Sequence, residues 1–216
     1  MKTVLVIGMG RFGQHIASKF ASLGNDVMVI DRSEDKIEEI LPKVASAQIG
    51  DCRKESVLRS IGVNNFDICV MAIGSDFQSS LEITLLLKEL GAPHVIARAS
   101  RDIHAKFLLR SGADEVIYPE KQMAEKLAVR YSAKNVFDYI ELTPEYSVFE
   151  ITPVESWIGK TIEQIGVRTK YQISILATKE GENIIPLPKA DHMFKKSEHL
   201  IVFGKKEDAI NFTKHI

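Results

Sequence analysis

The sequence predicts an α/β protein, in which a Rossmann-like doubly wound parallel sheet is followed by a small α+β domain. Two observations predict this class. Continuous apolar runs of strand length alternate with helical segments through residues 1–120, and such strands are typical of parallel sheets covered by helices on both faces. The first run is followed at once by a glycine-rich loop that opens a helix, as at the start of a Rossmann domain.

Six apolar runs form the predicted sheet. They lie at 3–7, 26–30, 45–49, 68–73, 94–99 and 115–118. The predicted helices between them occupy 11–23, 33–41, 53–61, 77–90 and 102–111. Four of these helices end at a glycine, as helix C-termini often do: Gly24, Gly62, Gly91 and Gly112. Ser33 and Asp102 occupy positions where N-caps belong.

The pattern changes after Pro119. The chain divides into a Rossmann-like domain, a crossover helix with its linker, and a small C-terminal domain, at residues 1–120, 121–140 and 141–216. In the crossover segment, apolar residues such as Met123 and Leu127 recur at helical spacing. This face packs either on the first domain's own sheet or, as we favour, against a second subunit or the next domain.

The C-terminal domain is rich in short predicted strands. They are "YSVFEITP", "ISILATKE", "NIIPLP" and "HLIVFG". Brief helices are expected near 160–166 and 205–214. A unit of about 75 residues is near the lower limit for a self-sufficient core, so we expect it to gain stability by dimerising.

Charge and cysteine content exclude several classes. The 216-residue chain has a formal net charge of −1, which argues against a nucleic-acid partner, because that role needs a basic surface. Cys52 and Cys69 stand without a C-x-x-C pair or a histidine cluster, so both are expected to pack as small apolar groups. No run approaches the roughly 18 apolar residues of a membrane span, and a membrane process would therefore need another chain.

The glycine-rich loop predicts a phosphate site. It reads Gly8-Met9-Gly10-Arg11-Phe12-Gly13, a G-x-G-x-x-G pattern between a strand and a helix. In that context backbone N–H groups at the helix N-terminus bind a phosphate. The guanidinium of Arg11 inside the loop indicates a ligand more negative than a pyrophosphate.

Further candidates follow the second and third strands, at the sheet edge where open α/β sheets bind ligands. Asp31 is placed to accept hydrogen bonds from both ribose hydroxyls. Arg32 either stacks on an adenine or is a solvated surface charge. Asp51 either approaches the adenine or caps the next helix, and Cys52 is expected to pack on the ring.

The fourth strand ends in "AIGSD", where Ala72, Ile73 and Gly74 are expected beside the ribose and phosphates, and where Asp76 is a candidate helix cap. Motifs of catalysis are absent from the sequence: it has no nucleophile elbow, lysine-bearing phosphate loop or cluster of metal ligands. His94 stands at the beginning of its strand and so lies at the edge of the sheet opposite the glycine-rich loop. The sequence therefore predicts binding without reaction. A small NAD(H)-dependent oxidoreductase and a DNA-binding regulator are the alternatives.

Six stretches of the first domain and the crossover helix form a characteristic series: "VIGMGRFG", "VIDRSEDKI", "GDC", "AIGSDFQSSLEITLLLKELG", "VIARA" and "GADEVIYPEKQMAEKLA". Together they resemble the RCK family, the regulators of K⁺ conductance, and within it the Ktr-type subunits of bacterial K⁺ uptake systems. The tail from "YSVFEITPVESWIGK" resembles the family's C-terminal domain. The resemblance covers the whole chain.

This resemblance implies ATP or ADP as the ligand, with NAD(H) as the alternative. Arg11 is implied to reach the terminal phosphates, including those held by a neighbouring subunit, and Arg98 of "VIARA" joins the cofactor-binding set. Glu120 matches a position near the γ-phosphate, where a divalent cation, Mg²⁺ or Ca²⁺, would lie between two such carboxylates. The alternative is that Glu120 simply complements the helix dipole.

The resemblance also implies an assembly. Dimers of the chain are expected to form an octameric ring beneath a membrane K⁺ channel or transporter subunit, in the cytoplasm at the inner face of the membrane. The ring would gate that partner without turnover, without nucleic acid and without inserting into the bilayer. The C-terminal domain is implied to bind cyclic di-AMP through Arg168, Ile175, Asn183, Ile184, Ile185 and Pro186. The alternative there is a plain hydrophobic dimer face.

Overall fold

The protein is described from a computed structural model, which covers residues 1–132 and 136–205. The chain forms two compact units, Met1–Lys121 and Gln122–Ile216.

The first unit is built on a six-stranded sheet in which every neighbouring pair of strands is parallel. Its strands are β1 (Thr3–Ile7), β2 (Asp26–Asp31), β3 (Ser46–Ile49), β4 (Ile68–Met71), β5 (Val95–Arg98) and β6 (Glu115–Ile117). Their order in the sheet is β3-β2-β1-β4-β5-β6. Because this is the doubly wound order, the predicted fold class is confirmed.

Helices connect the strands as predicted. They are α1 (Arg11–Ser22), α2 (Glu34–Ile40), α3 (Glu55–Ile61), α4 (Phe77–Glu89), α5 (Asp102–Arg110) and α6 (Pro119–Ser132). One predicted cap is wrong: Arg101 is the N-cap residue of α5, and Asp102 begins the helix instead. Its carboxylate accepts a hydrogen bond from the ammonium of Lys121 in the first turn of α6.

The strand β1 passes through the centre of the first unit. Its residues Leu5 and Ile7 pack into one buried cluster, and Val4 and Val6 into another, because successive side chains of a strand point to opposite faces. Both faces of the sheet are therefore covered. Cys52 and Cys69 are buried in the first of these clusters, as predicted, and burial raises the pKa of each thiol to about 12.

The second unit contains a five-stranded antiparallel sheet. Its strands are β7 (Val136–Glu141), β8 (Tyr146–Ile151), β9 (Ser174–Glu180), β10 (Asn183–Pro186) and β11 (His199–Lys205), in the order β10-β9-β11-β8-β7. Two short helices, α7 (Ile162–Ile165) and α8 (Val167–Tyr171), connect β8 to β9. Phe149, Trp157 and Phe194 are the largest buried side chains of its core.

The second unit contains one strand more than the sequence predicts. The stretch at 136–140, predicted as part of the linker, lies in strand β7, because it pairs with β8, with a register shift between Val136 and Asp138. The predicted helix near 160–166 is present as α7, where Thr161 and Gln164 form a capping box. The second predicted helix, at 205–214, falls almost wholly outside the described residues.

Within the part of the chain that the structure describes, no helix combines the length and apolar character needed to cross a bilayer.

Candidate functional site

A cavity of about 170 Å³ opens at the carboxyl ends of the parallel strands, beside the neighbouring strands β1 and β4. This is the point where the strand order reverses and where ligands of such sheets bind. The cavity is lined by Ile7, Gly8, Gly10, Ile30, Asp31, Arg32, Lys36, Gly50, Asp51, Cys52, Arg53, Ala72, Ile73, Gly74, Ser75, Asp76, Ser79, Ile83 and Arg98.

The three glycines of the loop are required for different physical reasons. Gly8 has φ +94°, and a Cβ there would lie 2.6 Å from Cγ1 of Ile73. A Cβ on Gly13 would lie 1.9 Å from the carbonyl oxygen of Gly8, so helix α1 could not approach the loop. Gly10 is different, because a Cβ there would meet nothing within 4 Å. The open space beside Gly10 lets a ligand approach the backbone.

The N-terminus of α1 lies at this cavity, and no acidic side chain of its first turn balances the positive end of the helix dipole. Gly10 is its N-cap residue and makes no side-chain cap, and its first turn carries no acidic residue. The first intrahelical hydrogen bond runs from the N–H of Gln14 to the carbonyl of Gly10. The N–H groups before Gln14 lack helical partners, so the helix end can bind an anion.

Asp31 fastens the glycine loop to the next turn. Its carboxylate accepts hydrogen bonds from the N–H of Met9 at 2.6 Å and from the N–H of Ser33 at 2.9 Å. The ammonium of Lys36 lies 3.9 Å away. The predicted ribose acceptor thus lines the cavity and also has a structural role that the sequence did not reveal. Arg32, beside it, is exposed and lines the cavity as well.

Asp51 forms an ion pair with Arg53. It accepts hydrogen bonds from the backbone N–H, the Nε and an Nη of Arg53, at 3.1, 3.0 and 2.7 Å. The hydrogen bonds from this guanidinium lower the pKa of the Asp51 carboxyl to about 2. The capping alternative for Asp51 is wrong, since α3 begins at Glu55 with Lys54 as its N-cap. Cys52 is buried and also lines the cavity.

The loop after β4 closes another side of the cavity. Ala72, Ile73 and Gly74 line it, as the sequence predicted for that stretch. Asp76 caps α4, because its carboxylate accepts hydrogen bonds from the N–H of Ser79 at 3.0 Å and from its hydroxyl at 2.6 Å. These hydrogen bonds lower the pKa of the Asp76 carboxyl.

Arg98, the last residue of β5, brings a third guanidinium to the cavity lining, beside those of Arg32 and Arg53. It pairs with the carboxylate of Glu120 in the first turn of α6. Its Cζ lies 5.6 Å from the centre of the Phe12 ring. The pKa of Glu120 is lowered by its own backbone N–H and, to a smaller degree, by Arg98 and Arg11.

Some predicted residues lie beside the cavity rather than in its lining. Met9 is buried beneath the loop and Phe12 is half-buried, while Arg11 is exposed at the start of α1. The role of Arg11 as a phosphate sensor stays a prediction. Lys36 and Arg53 are lining residues that sequence reasoning missed, although each lies a few residues after a predicted ligand residue, Asp31 or Asp51.

The residues implied to bind cyclic di-AMP lie in the second unit. Arg168 is exposed on α8, and Ile175 is half-buried on β9. All four residues of β10 are exposed, with Ile184 at 56% and Ile185 at 50%. Because β10 is an edge strand of the sheet, these apolar side chains and the free strand edge form an open surface.

Family models match both units. Residues 4–119 match the TrkA-N domain and residues 147–216 match the TrkA-C domain. The chain belongs to the TrkA family. Both matched ranges lie within single units, so the family's two-domain order corresponds to the two compact units of the structure.

Curated members of the family are similar over the whole chain. Ktr system potassium uptake protein C of Bacillus subtilis (strain 168) is 39% identical over 100% of this chain and 97% of its own length. Ktr system potassium uptake protein A of the same organism is 36% identical, over 98% and 95%. The Trk system potassium uptake protein TrkA homolog of Methanothermobacter thermautotrophicus is 29% identical, over 86% of each chain.

Solved structures share the fold. The GsuK channel bound to NAD matches 98% of this chain with a TM-score of 0.70 and 17% identity, and this chain spans 39% of that channel's length. The GsuK structure bound to ADP matches 60% of this chain with a TM-score of 0.53 and 16% identity, and this chain spans 34% of it. At these identities the likeness extends to the fold alone.

Proposed function

We propose that this chain is a nucleotide-binding regulatory subunit of a Ktr-type or Trk-type potassium uptake system. One observation carries the proposal. The chain is 39% identical, over its full length, to a Ktr system potassium uptake protein. It also has a cavity at the glycine loop, where the N-terminus of α1 carries no acidic residue and where β2 ends in an aspartate. Such a cavity suits the phosphates and the ribose of a nucleotide.

ATP and ADP are the proposed ligands, and NAD(H) is the second candidate. Arg11 and Arg98 supply two guanidinium groups near the glycine loop, and a terminal phosphate offers the oxygens that a guanidinium binds bidentately. The NAD(H) alternative is favoured by a different observation, since a structural neighbour of the same fold is the GsuK channel bound to NAD.

A divalent cation, Mg²⁺ or Ca²⁺, is proposed to accompany the triphosphate. Among the described residues no group of three or more His, Cys, Asp or Glu side chains could hold a metal ion. Glu120 would therefore share the cation with phosphate oxygens and with the same carboxylate of a second copy. Oxygen ligands of this kind suit Mg²⁺ and Ca²⁺.

Regulation would act through assembly rather than turnover. We infer dimers that form an octameric ring in the cytoplasm, held at the inner face of the membrane by a channel or transporter partner. A nucleotide can shift such a ring between two shapes only by its different affinity for them. Glu120 and the arginine groups would supply the difference between ATP and ADP, because only ATP carries the third phosphate.

A second ligand, cyclic di-AMP, is proposed for the second unit. The exposed strand β10 supports this, because Ile184 and Ile185 offer apolar contact to an adenine, and Arg168, exposed on α8 of the same unit, offers a cation to the phosphates. The exposed face would be completed by a second copy. Titration of the purified chain with cyclic di-AMP tests this proposal. Absence of binding would favour the alternative, in which this surface is only a hydrophobic dimer face.

Calorimetric titration of the purified chain tests the proposal. ATP, ADP and NADH are each added with and without Mg²⁺, and the mass in solution is measured in each state. Micromolar binding of ATP and ADP with weaker binding of NADH is expected, with no NADH oxidation in a parallel assay. Binding of NADH alone would replace the ATP/ADP proposal by the NAD(H) alternative, and NADH turnover would contradict the regulatory function.

A further inference from the structure

An ion pair joins an arginine of the cavity lining to a glutamate that lies outside the lining. The cation is Arg98, whose side chain is 21% exposed, and the carboxylate is Glu120, whose side chain is 59% exposed. One Nη of the guanidinium donates to the Glu120 carboxylate. The pair thus joins a largely buried cation to a carboxylate that water can reach.

The rest of the Arg98 guanidinium is incompletely paired. Its Nε is buried and has no hydrogen-bond partner among the described residues. A buried donor without an acceptor costs free energy, so the site gains when an acceptor arrives. The neighbouring Phe12 ring contributes a cation–π contact, which supplies no hydrogen-bond acceptor for this Nε–H.

The surroundings of Arg98 select an anion as the missing acceptor. A Cβ on Gly74 would lie 3.1 Å from Cζ of Arg98, so the guanidinium packs against the backbone of the loop after β4. Gly10, at the N-terminus of α1, lines the same cavity. A phosphate bound at that helix end is therefore attracted by Arg98 as well, and Arg98 presents several N–H donors to phosphate oxygens.

We propose that Glu120 and the phosphates of the ligand compete for Arg98, so that entry of a nucleoside di- or triphosphate displaces the carboxylate. The inference rests on the proposed nucleotide site and assigns its regulation to this ion pair. The competition predicts the direction in which nucleotide affinity changes when Glu120 is altered. In the absence of a divalent cation, removal of the Glu120 charge strengthens the binding of a polyphosphate, whereas removal of a cation ligand would weaken binding in the presence of Mg²⁺.

Calorimetric titration of the full chain in EDTA tests the competition, with ADP and adenosine as the two probes. Glu120→Gln is expected to bind ADP about two- to fivefold more tightly than the unaltered chain, the scale of a partly exposed ion pair. Adenosine, which lacks phosphates, is expected to bind equally to both. Glu89→Gln is the matched control, because Glu89 ends α4, outside the cavity lining, and the substitution changes the net charge equally.

A double-mutant cycle shows whether Glu120 acts through Arg98. Arg98→Gln is expected to weaken ADP binding by about tenfold, the loss of one charge-assisted contact, and to leave adenosine binding unchanged. In the Arg98→Gln background, Glu120→Gln is expected to give no further gain.

Each result has a distinct meaning. If Glu120→Gln binds ADP equally or more weakly in EDTA while the unaltered chain binds ADP, the competition is overturned and the nucleotide site stands. A gain that persists in the Arg98→Gln background overturns the assignment to Arg98. If the unaltered chain binds neither ADP nor adenosine, the proposed function itself fails.

Discussion

The two units differ in where each leaves its surface open. In the first, four consecutive residues of β1 are buried, and helices cover both faces of the sheet. In the second, all four residues of the edge strand β10 are exposed. A sheet covered on both faces is open at its strand ends, which suits a small ligand. An exposed edge strand suits a larger flat partner, such as another chain.

The chemistry of the two open places differs as well. The cavity of the first unit is lined by Asp31, Asp51, Arg53 and Arg98, each of which has a charged partner or a hydrogen-bond partner already in place. The strand β10 presents Ile184 and Ile185 without a charged side chain of its own. Charged ligands are therefore expected at the first place and apolar contact at the second.

The largest expected effect on stability comes from a substitution in the core of the second unit. Phe149 is fully buried and stacks on Tyr139, with ring centres 6.0 Å apart. Phe149→Ala is expected to lower the free energy of unfolding of that unit by about 3–5 kcal/mol. Phe137→Ala, at an aromatic residue that is 40% exposed, is the matched control. Calorimetric unfolding checks both, and an equal loss in the two variants would contradict the burial argument.

The next largest effect is expected in the first unit, where substitutions of two glycines of the same loop should have different consequences for stability. Gly13→Ala places a methyl group against the Gly8 carbonyl and is expected to cost about 1–3 kcal/mol of stability and to abolish nucleotide binding. Gly10→Ala meets open space, so it is expected to leave stability within about 0.5 kcal/mol while weakening nucleotide binding. Denaturant unfolding and nucleotide titration measure both. Unchanged nucleotide affinity in Gly10→Ala would place the phosphate elsewhere.

A pH dependence is expected in the first unit at His104. This residue is fully buried against the Ser80 hydroxyl at 2.7 Å, near Ser100 and Phe77, and burial together with the charge of Arg101 lowers its pKa below the usual 6.5. The unfolded chain therefore binds the proton more readily, so stability is complete above about pH 6.5 and falls as the pH decreases below it. Denaturant unfolding between pH 5 and 8 measures this slope.

The control for that slope is His104→Gln, which keeps a polar side chain and removes the titrating group. Its unfolding free energy is expected to be lower overall and to lose this contribution to the pH dependence. A slope equal to that of the unaltered chain would assign the effect to other groups.

The smallest effect on stability is expected at the exposed strand of the second unit. Ile185→Ala removes a side chain that is 50% exposed and is expected to change the free energy of unfolding by less than about 0.5 kcal/mol. If β10 forms part of a dimer face, the same substitution weakens self-association severalfold, which sedimentation equilibrium would detect. Leu23→Ala, at an exposed leucine after α1, is the control.

Much of the first unit could be predicted because its signals are local. The central strands β1 and β4 are almost wholly apolar, and Gly62 ends α3 in the left-handed conformation that glycine favours. The strand β7 was missed because six residues after a long helix carry too little alternation to be separated from a linker. Its pairing with β8 decides the conformation, and pairing is a tertiary effect.

The candidate site was predictable in its backbone and less so in its side chains. The pattern of glycines and the acidic end of β2 located the loop and Asp31. The pairing of Arg98 with Glu120 joins residues on different elements, and spacing along the sequence does not encode such a contact. Likewise, Asp51 was expected near an adenine or at a helix cap, whereas the structure pairs it with Arg53.

The placement of three core side chains gives each unit a reporter of its own. The single tryptophan of the chain, Trp157, is buried in the second unit, and the two cysteines, Cys52 and Cys69, are buried in the first. Tryptophan emission therefore follows the opening of one half of the polypeptide, and the rate of thiol alkylation follows the other. The order in which the halves melt can be read from the natural chain without any added label.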